Sequence, residues 1–139
     1  MKLGVEAKLE IHELLSRASY AYDSRDLAML ESCFAEDASL TMRIAGGDLA
    51  GPFAGRKAIM ELMSGSMAAQ TDVRRHVVSN IFFEDSEEGV RVNSFLTLIA
   101  TEDASTSLLT TGVYQDTVAR DEAGDWHLLA RHIELDNAY

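Results

Sequence analysis

The chain has 139 residues, 47% of them hydrophobic and 25% charged. That is enough for one well-buried core, too short for two ordinary domains, and far too apolar for a disordered chain. Lys and Arg total 12 against 23 Asp and Glu, a formal net charge of −11, so nucleic acid and anionic membrane surfaces are repelled and excluded as expected partners.

Ile11, Leu14, Leu15, Ala18, Ala21 and Tyr22 recur at helical spacing, which predicts one amphipathic helix from about Val5 to Tyr22. Asp23-Ser24-Arg25-Asp26 breaks it, and Asp26 is a good N-cap for a second short helix carrying Leu27, Leu30 and Phe34. The lone cysteine, Cys33, lies in this apolar stretch, where a small buried hydrophobe is expected rather than a nucleophile. Asp37 to Ile44 alternates like a strand. Gly46-Gly47-Asp48 supplies a turn and Gly51-Pro52 a second break.

Arg56 to Met67 predicts a third helix, with Ile59, Leu62, Met63 and Met67 on one face. Beyond Gln70 the character changes. Val73–Phe83, Gly89–Ala100, Leu108–Ala119 and Trp126–Asp136 are strand candidates joined by short polar links. Long consecutive strands imply an antiparallel meander, and helices segregated at one end imply an α+β fold. With no internal repeat or linker, residues 1–139 read as a single domain. A curved antiparallel sheet with helices in its concavity leaves a pocket between the layers, where small-molecule sites form. The first eight residues lack the apolar core of a signal peptide, and no run approaches membrane-spanning length, so the cytoplasm is the expected location.

Several strings match a known pattern. Asp26 to Ala38, with an acidic start, spaced Leu and Phe, then Asp37-Ala38, resembles the second helix and first strand of the SnoaL-like branch of the nuclear-transport-factor-2-like superfamily. Gly55-Arg56-Lys57-Ala58-Ile59 is similar to that family's entry to helix three, and His76-Val77-Val78-Ser79-Asn80-Ile81-Phe82 to its histidine-bearing strand. The resemblance covers nearly the whole chain. It implies a cone-shaped α+β barrel wrapped around N-terminal helices, and a homodimer or homotrimer.

Within that family the pattern resembles the scytalone dehydratase, lindane dehydrochlorinase and bile-acid 7α-dehydratase group. Those enzymes pair an Asp just after the first helix with a His on a central strand. Asp23 and His76 fall on these positions, and Arg131 falls where the dehydrochlorinase pattern has a pocket arginine. There are two departures: Ala18 replaces a first-helix lysine, and Asn93 and Phe95 are the nearest residues to where scytalone dehydratase adds a second histidine.

The chemistry these residues support is proton abstraction. A neutral imidazole removes a proton when a carboxylate fixes its tautomer and steadies the imidazolium. Asp23 sits at a helix C-terminus, where the macrodipole disfavours negative charge, and pairing with His76 would relieve that. From the residues alone, Asp23 as a turn cap and His76 as a satisfied strand histidine stand beside that reading; the resemblance favours the pair. Strand alternation puts Arg74, Val78, Asn80 and Phe82 on the face of His76, but both faces are mixed. Arg131 shares a face with Leu129, Ile133 and Leu135, so it needs an anionic partner, either an internal carboxylate or a ligand oxygen.

Tyr22, Tyr114, Asn80 and Asn93 are the candidate substrate contacts, with Tyr22 preferred over Tyr20 because it lies on the apolar helix face. His12 is expected at the surface. His127 and His132 lie on opposite faces of one strand, so no metal site is expected. No phosphate-binding or dinucleotide fingerprint and no nucleophile elbow occurs, and no cofactor is expected. The leading expectation is a cofactor-independent lyase or isomerase of dehydratase, double-bond isomerase or cyclase type. Its substrate would be a small apolar cyclic or polyketide-like molecule. The rival is a non-catalytic ligand-binding module, or an assembly protein like the small subunit of an oxygenase.

Overall fold

A computed structural model describes residues 2–139. The elements in order are α1 (Val5–Asp23), α2 (Leu27–Ser32), β1 (Phe34–Ile44), β2 (Ala50–Ala54), α3 (Arg56–Ala69), β3 (Val73–Ser86), β4 (Gly89–Glu102), β5 (Ser105–Arg120) and β6 (Trp126–Leu135). Asp26 caps α2 as expected, its carboxylate accepting the Met29 N–H at 3.0 Å. The Gly51-Pro52 step lies inside a short edge strand, β2, rather than marking a break; at an edge, the missing proline N–H costs the ladder nothing.

All six strands form one sheet in the order β2-β1-β6-β5-β4-β3. Strands β3 to β6 make the expected antiparallel meander, but β1 joins β6 in parallel, so the sheet is mixed rather than wholly antiparallel. The expected barrel is also open: β2 and β3 are its two free edges. Register shifts in β1, and between β3 and β4, β4 and β5, and β5 and β6, bend the strands around the helices. Gly112 permits one tight approach, because a Cβ there would stand 2.6 Å from the Glu134 carbonyl oxygen.

The core lies between α1 and the concave face. Ile11, Leu15 and Ala18 meet Leu40 of β1, Val92, Leu96 and Leu98 of β4, Val118 of β5 and Leu128 of β6. Each fully buried Leu or Ile contributes about 1.5–3 kcal/mol of transfer free energy. Cys33 is buried and free. No helix is long and apolar enough to cross a membrane.

Two bulges overturn the simple alternation of the strands. Ser79 pairs with Phe95, yet Phe82 pairs with Asn93, so β3 spends one residue more than β4 over this step. Asn80 takes a left-handed φ of 55° there. Val78 points toward the core, and beyond the bulge Ile81 and Phe83 do so, while Phe82 is left exposed. A second shift, between Thr117–Ala130 and Val118–Leu128, puts Leu128 rather than Leu129 into the core beside Arg131 and Ile133.

Candidate active site

Asp23 is the last residue of α1, and its carboxylate faces β3. One oxygen, Oδ1, lies 2.6 Å from His76 Nδ1, and Oδ2 accepts the His76 backbone N–H at 2.7 Å. Both side chains are mostly buried. A carboxylate can only accept, so in the neutral ring the proton sits on Nδ1 and Nε2 carries the free lone pair. The two-point contact also places negative charge at a helix C-terminus, a position that is unfavourable without such donors.

His76 lines a cavity of about 140 Å³ between the helices and the sheet, close to the size of an apolar cavity that holds a benzene ring. Its apolar wall includes Leu30, Phe34, Leu62, Met63, Leu96 and Ile133; its polar groups include Tyr22, Gln70, Tyr114 and Arg131. Tyr22 stands edge-on to the His76 ring, centroids 5.0 Å apart at 70°. The Tyr22 oxygen accepts a hydrogen bond from the Gln70 side-chain amide, which leaves the phenolic hydrogen free to donate elsewhere. Burial pushes the Tyr22 pKa up, while Gln70 and Arg74 pull against it. Gln70 is itself anchored: Arg25 donates to the Met67 and Gln70 carbonyls at the end of α3, where a cation complements the helix dipole.

Arg131 resolves between its two expected partners in favour of an internal carboxylate. Its Nε and Nη2 donate to Asp116 at 2.8 and 3.0 Å, and the two residues face each other directly across β5 and β6. Arg131 is 7% exposed and Asp116 1%. Burial alone would lower the Arg131 pKa, but the charge and hydrogen bonds of Asp116 hold it above its ordinary value. The guanidinium lies 4.1 Å from the centre of the Tyr114 ring. Among the described residues, Arg131 Nη1 makes no hydrogen bond.

Burial pushes the Tyr114 hydroxyl up to about 12 against the pull of Arg131. A phenol that holds its proton more tightly folded than unfolded contributes stability fully present below pH 10 and lost as pH rises toward 12. Stability is therefore expected to fall by roughly 2–3 kcal/mol across that window. Urea midpoints at pH 9 and pH 11.5 check this, and Tyr114→Phe should remove most of the drop.

Two of the candidate contacts stand apart from His76. Asn80 is exposed at the bulge, and Asn93 points out of the sheet between the inward Val92 and Ser94, donating to Glu84. Neither lines the cavity. For Asn80 the cause is the β3 bulge, which breaks the alternation that put it on the face of His76. Tyr20 is exposed and outside the cavity, and His12 lies at the surface against Phe83. His127 pairs with Asp121 and His132 with Thr41 and Glu134. Among the described residues no three His, Cys, Asp or Glu side chains converge as a metal site.

Asp116 and Gln70 were not among the expected site residues. Asp116 had a signal, as the lone charge alternating with Tyr114 and Val118 on an inward face. Gln70 had none, since its reach depends on where α3 ends.

An open curved sheet around three helices, with a buried acid–imidazole pair at a half-enclosed cavity, defines a class of cone-like α+β folds. The chain belongs to the SnoaL-like domain family, whose model matches residues 4–132. No curated protein matches it. Among solved structures, a protein of unknown function with a cystatin-like fold from Nostoc punctiforme is 24% identical, with a TM-score of 0.81 over 98% of this chain and 96% of that one. ActVI-ORFA from Streptomyces coelicolor is 18% identical, with a TM-score of 0.80 over 95% and 98%. A putative scytalone dehydratase from Novosphingobium aromaticivorans is 25% identical, with a TM-score of 0.73 over 92% and 83%.

Proposed function

We propose that the protein is an acid–base lyase or isomerase of the cyclase or dehydratase type, acting on a small, largely apolar ring compound. One observation carries this reading: an imidazole whose Nδ1 is tied to a buried carboxylate lines a mostly apolar cavity. Family membership and the likeness to a putative scytalone dehydratase support it.

His76 Nε2 takes a proton from a carbon next to a carbonyl, and the C–H electron pair moves toward the carbonyl oxygen. Asp23 steadies the resulting imidazolium. Arg131 Nη1 or the Tyr22 hydroxyl donates to the developing oxyanion. In a dehydration, the electrons return to expel a hydroxyl at the next carbon, which leaves as water with a proton from Tyr22 or from the imidazolium. In an isomerisation, the proton returns at a different carbon. Both outcomes share the first step.

The test is turnover on a panel of ring ketones and alcohols. His76→Ala is expected to lose about 10²–10⁴-fold in kcat while its circular dichroism matches the parent. Full activity in that variant would sink the proposal.

A further inference from the structure

Resting on that reading of the cavity, we infer that its occupant is a neutral one-ring carbonyl compound, recognised at its oxygen by Arg131 Nη1, and that carboxylates and phosphates are rejected. The argument is one of charge accounting. An arginine facing a pocket ordinarily suggests an anionic ligand. Here the guanidinium is already neutralised: Asp116 occupies Nε and Nη2 from a position behind the cavity wall, itself almost wholly buried and absent from the lining. What remains for the cavity is the Nη1 amino group, a charge-assisted donor whose positive charge Asp116 already balances.

The nearby cations give an anion no alternative. Arg74, stacked at 5.0 Å on the cavity-lining Tyr139, is paired with Asp72 at 2.8 Å. Asp23, meanwhile, is committed to the ring and the backbone N–H of His76. The third guanidinium, Arg25, is exposed and spent on the Met67 and Gln70 carbonyls, so none of the three faces the cavity uncovered, in a chain of net charge −11. An anion entering this apolar space would be desolvated without an uncovered counter-charge, which is strongly unfavourable. A carbonyl oxygen needs only one charge-assisted donor, which Nη1 supplies. The volume of about 140 Å³ limits the buried part to about one ring.

Acetophenone and benzoate are near-isosteric and differ in charge, so their binding, measured by calorimetry or ligand-observed NMR, tests the inference. The wild-type protein is expected to bind acetophenone at least about tenfold more tightly than benzoate. Asp116→Asn should narrow that gap by about tenfold or more by uncovering the guanidinium. Benzoate binding as tightly as acetophenone, no acetophenone binding at millimolar concentration, or an unchanged gap in Asp116→Asn would each overturn it. If Asp116→Asn does not fold, the apolar pair Asp116→Leu with Arg131→Met decides. It should lose acetophenone affinity by about tenfold, and unchanged affinity would overturn the assignment. His76→Ala separates this from the catalytic proposal. It should keep the wild-type preference for acetophenone, so retained turnover in that variant would defeat the mechanism and leave the ligand class standing.

Discussion

Asp23→Asn is expected to lower kcat by about 10²–10⁴-fold while leaving the fold in place. The asparagine oxygen can still accept the His76 backbone N–H, which Asp23 now accepts at 2.7 Å, so the end of α1 stays docked on β3. Its amide, however, is a donor. Placed where the carboxylate lies 2.6 Å from Nδ1, it favours the tautomer with the proton on Nε2, and the lone pair that faces the cavity is lost. The imidazolium formed on any surviving path also lacks its counter-charge. Steady-state kinetics together with circular dichroism check this, and a loss smaller than about threefold would count against the role given to Asp23.

Asp116→Ala is expected to destabilise the protein by about 3–5 kcal/mol, because it leaves the Arg131 guanidinium buried without an anion. That is a large part of the roughly 5–15 kcal/mol that holds a domain of ordinary size together. The pair is bidentate and both side chains are almost fully enclosed, so solvent screening offers little relief. The double replacement Asp116→Leu with Arg131→Met should recover most of the loss, since removing both charges leaves nothing unpaired. Urea unfolding of both variants reads the difference. A single variant within about 1 kcal/mol of the parent would show that the pair is less buried or less coupled than its geometry indicates.

Legibility in the sequence followed the range of the interactions. The helices and the long strands are local, carried by periodicity and by caps such as Asp26, and their spans agree with the structure to within a few residues. The short edge strand β2 was not legible, because Gly51-Pro52 resembles a break unless the neighbouring β1 is known. Alternation failed where a bulge intervened: Asn80 sits on the face opposite to the one that counting from His76 gives, and Leu128 takes the inward place assigned to Leu129. A bulge depends on cross-strand register, which leaves no reliable mark in one strand alone.

The site divides in the same way. Asp23 and His76 are 53 positions apart in the chain, and neither spacing nor alternation joins them; only the family resemblance did. Arg131 was recognisable as a buried cation in need of an anion, yet Asp116 became its partner only through β5–β6 register. Gln70 reaches Tyr22 because α3 ends where Arg25 can hold its last carbonyls, a three-body arrangement that no local motif encodes.

The most direct test of His76 as the base that opens the reaction is deuterium wash-in, followed by NMR or mass spectrometry. A ring ketone that binds the cavity is incubated with the protein in D₂O, before any later step is considered. Exchange at the carbon next to the carbonyl is expected with the wild-type protein and is expected to vanish in both His76→Ala and Asp23→Asn. Exchange that continues at the wild-type rate in His76→Ala would contradict the account.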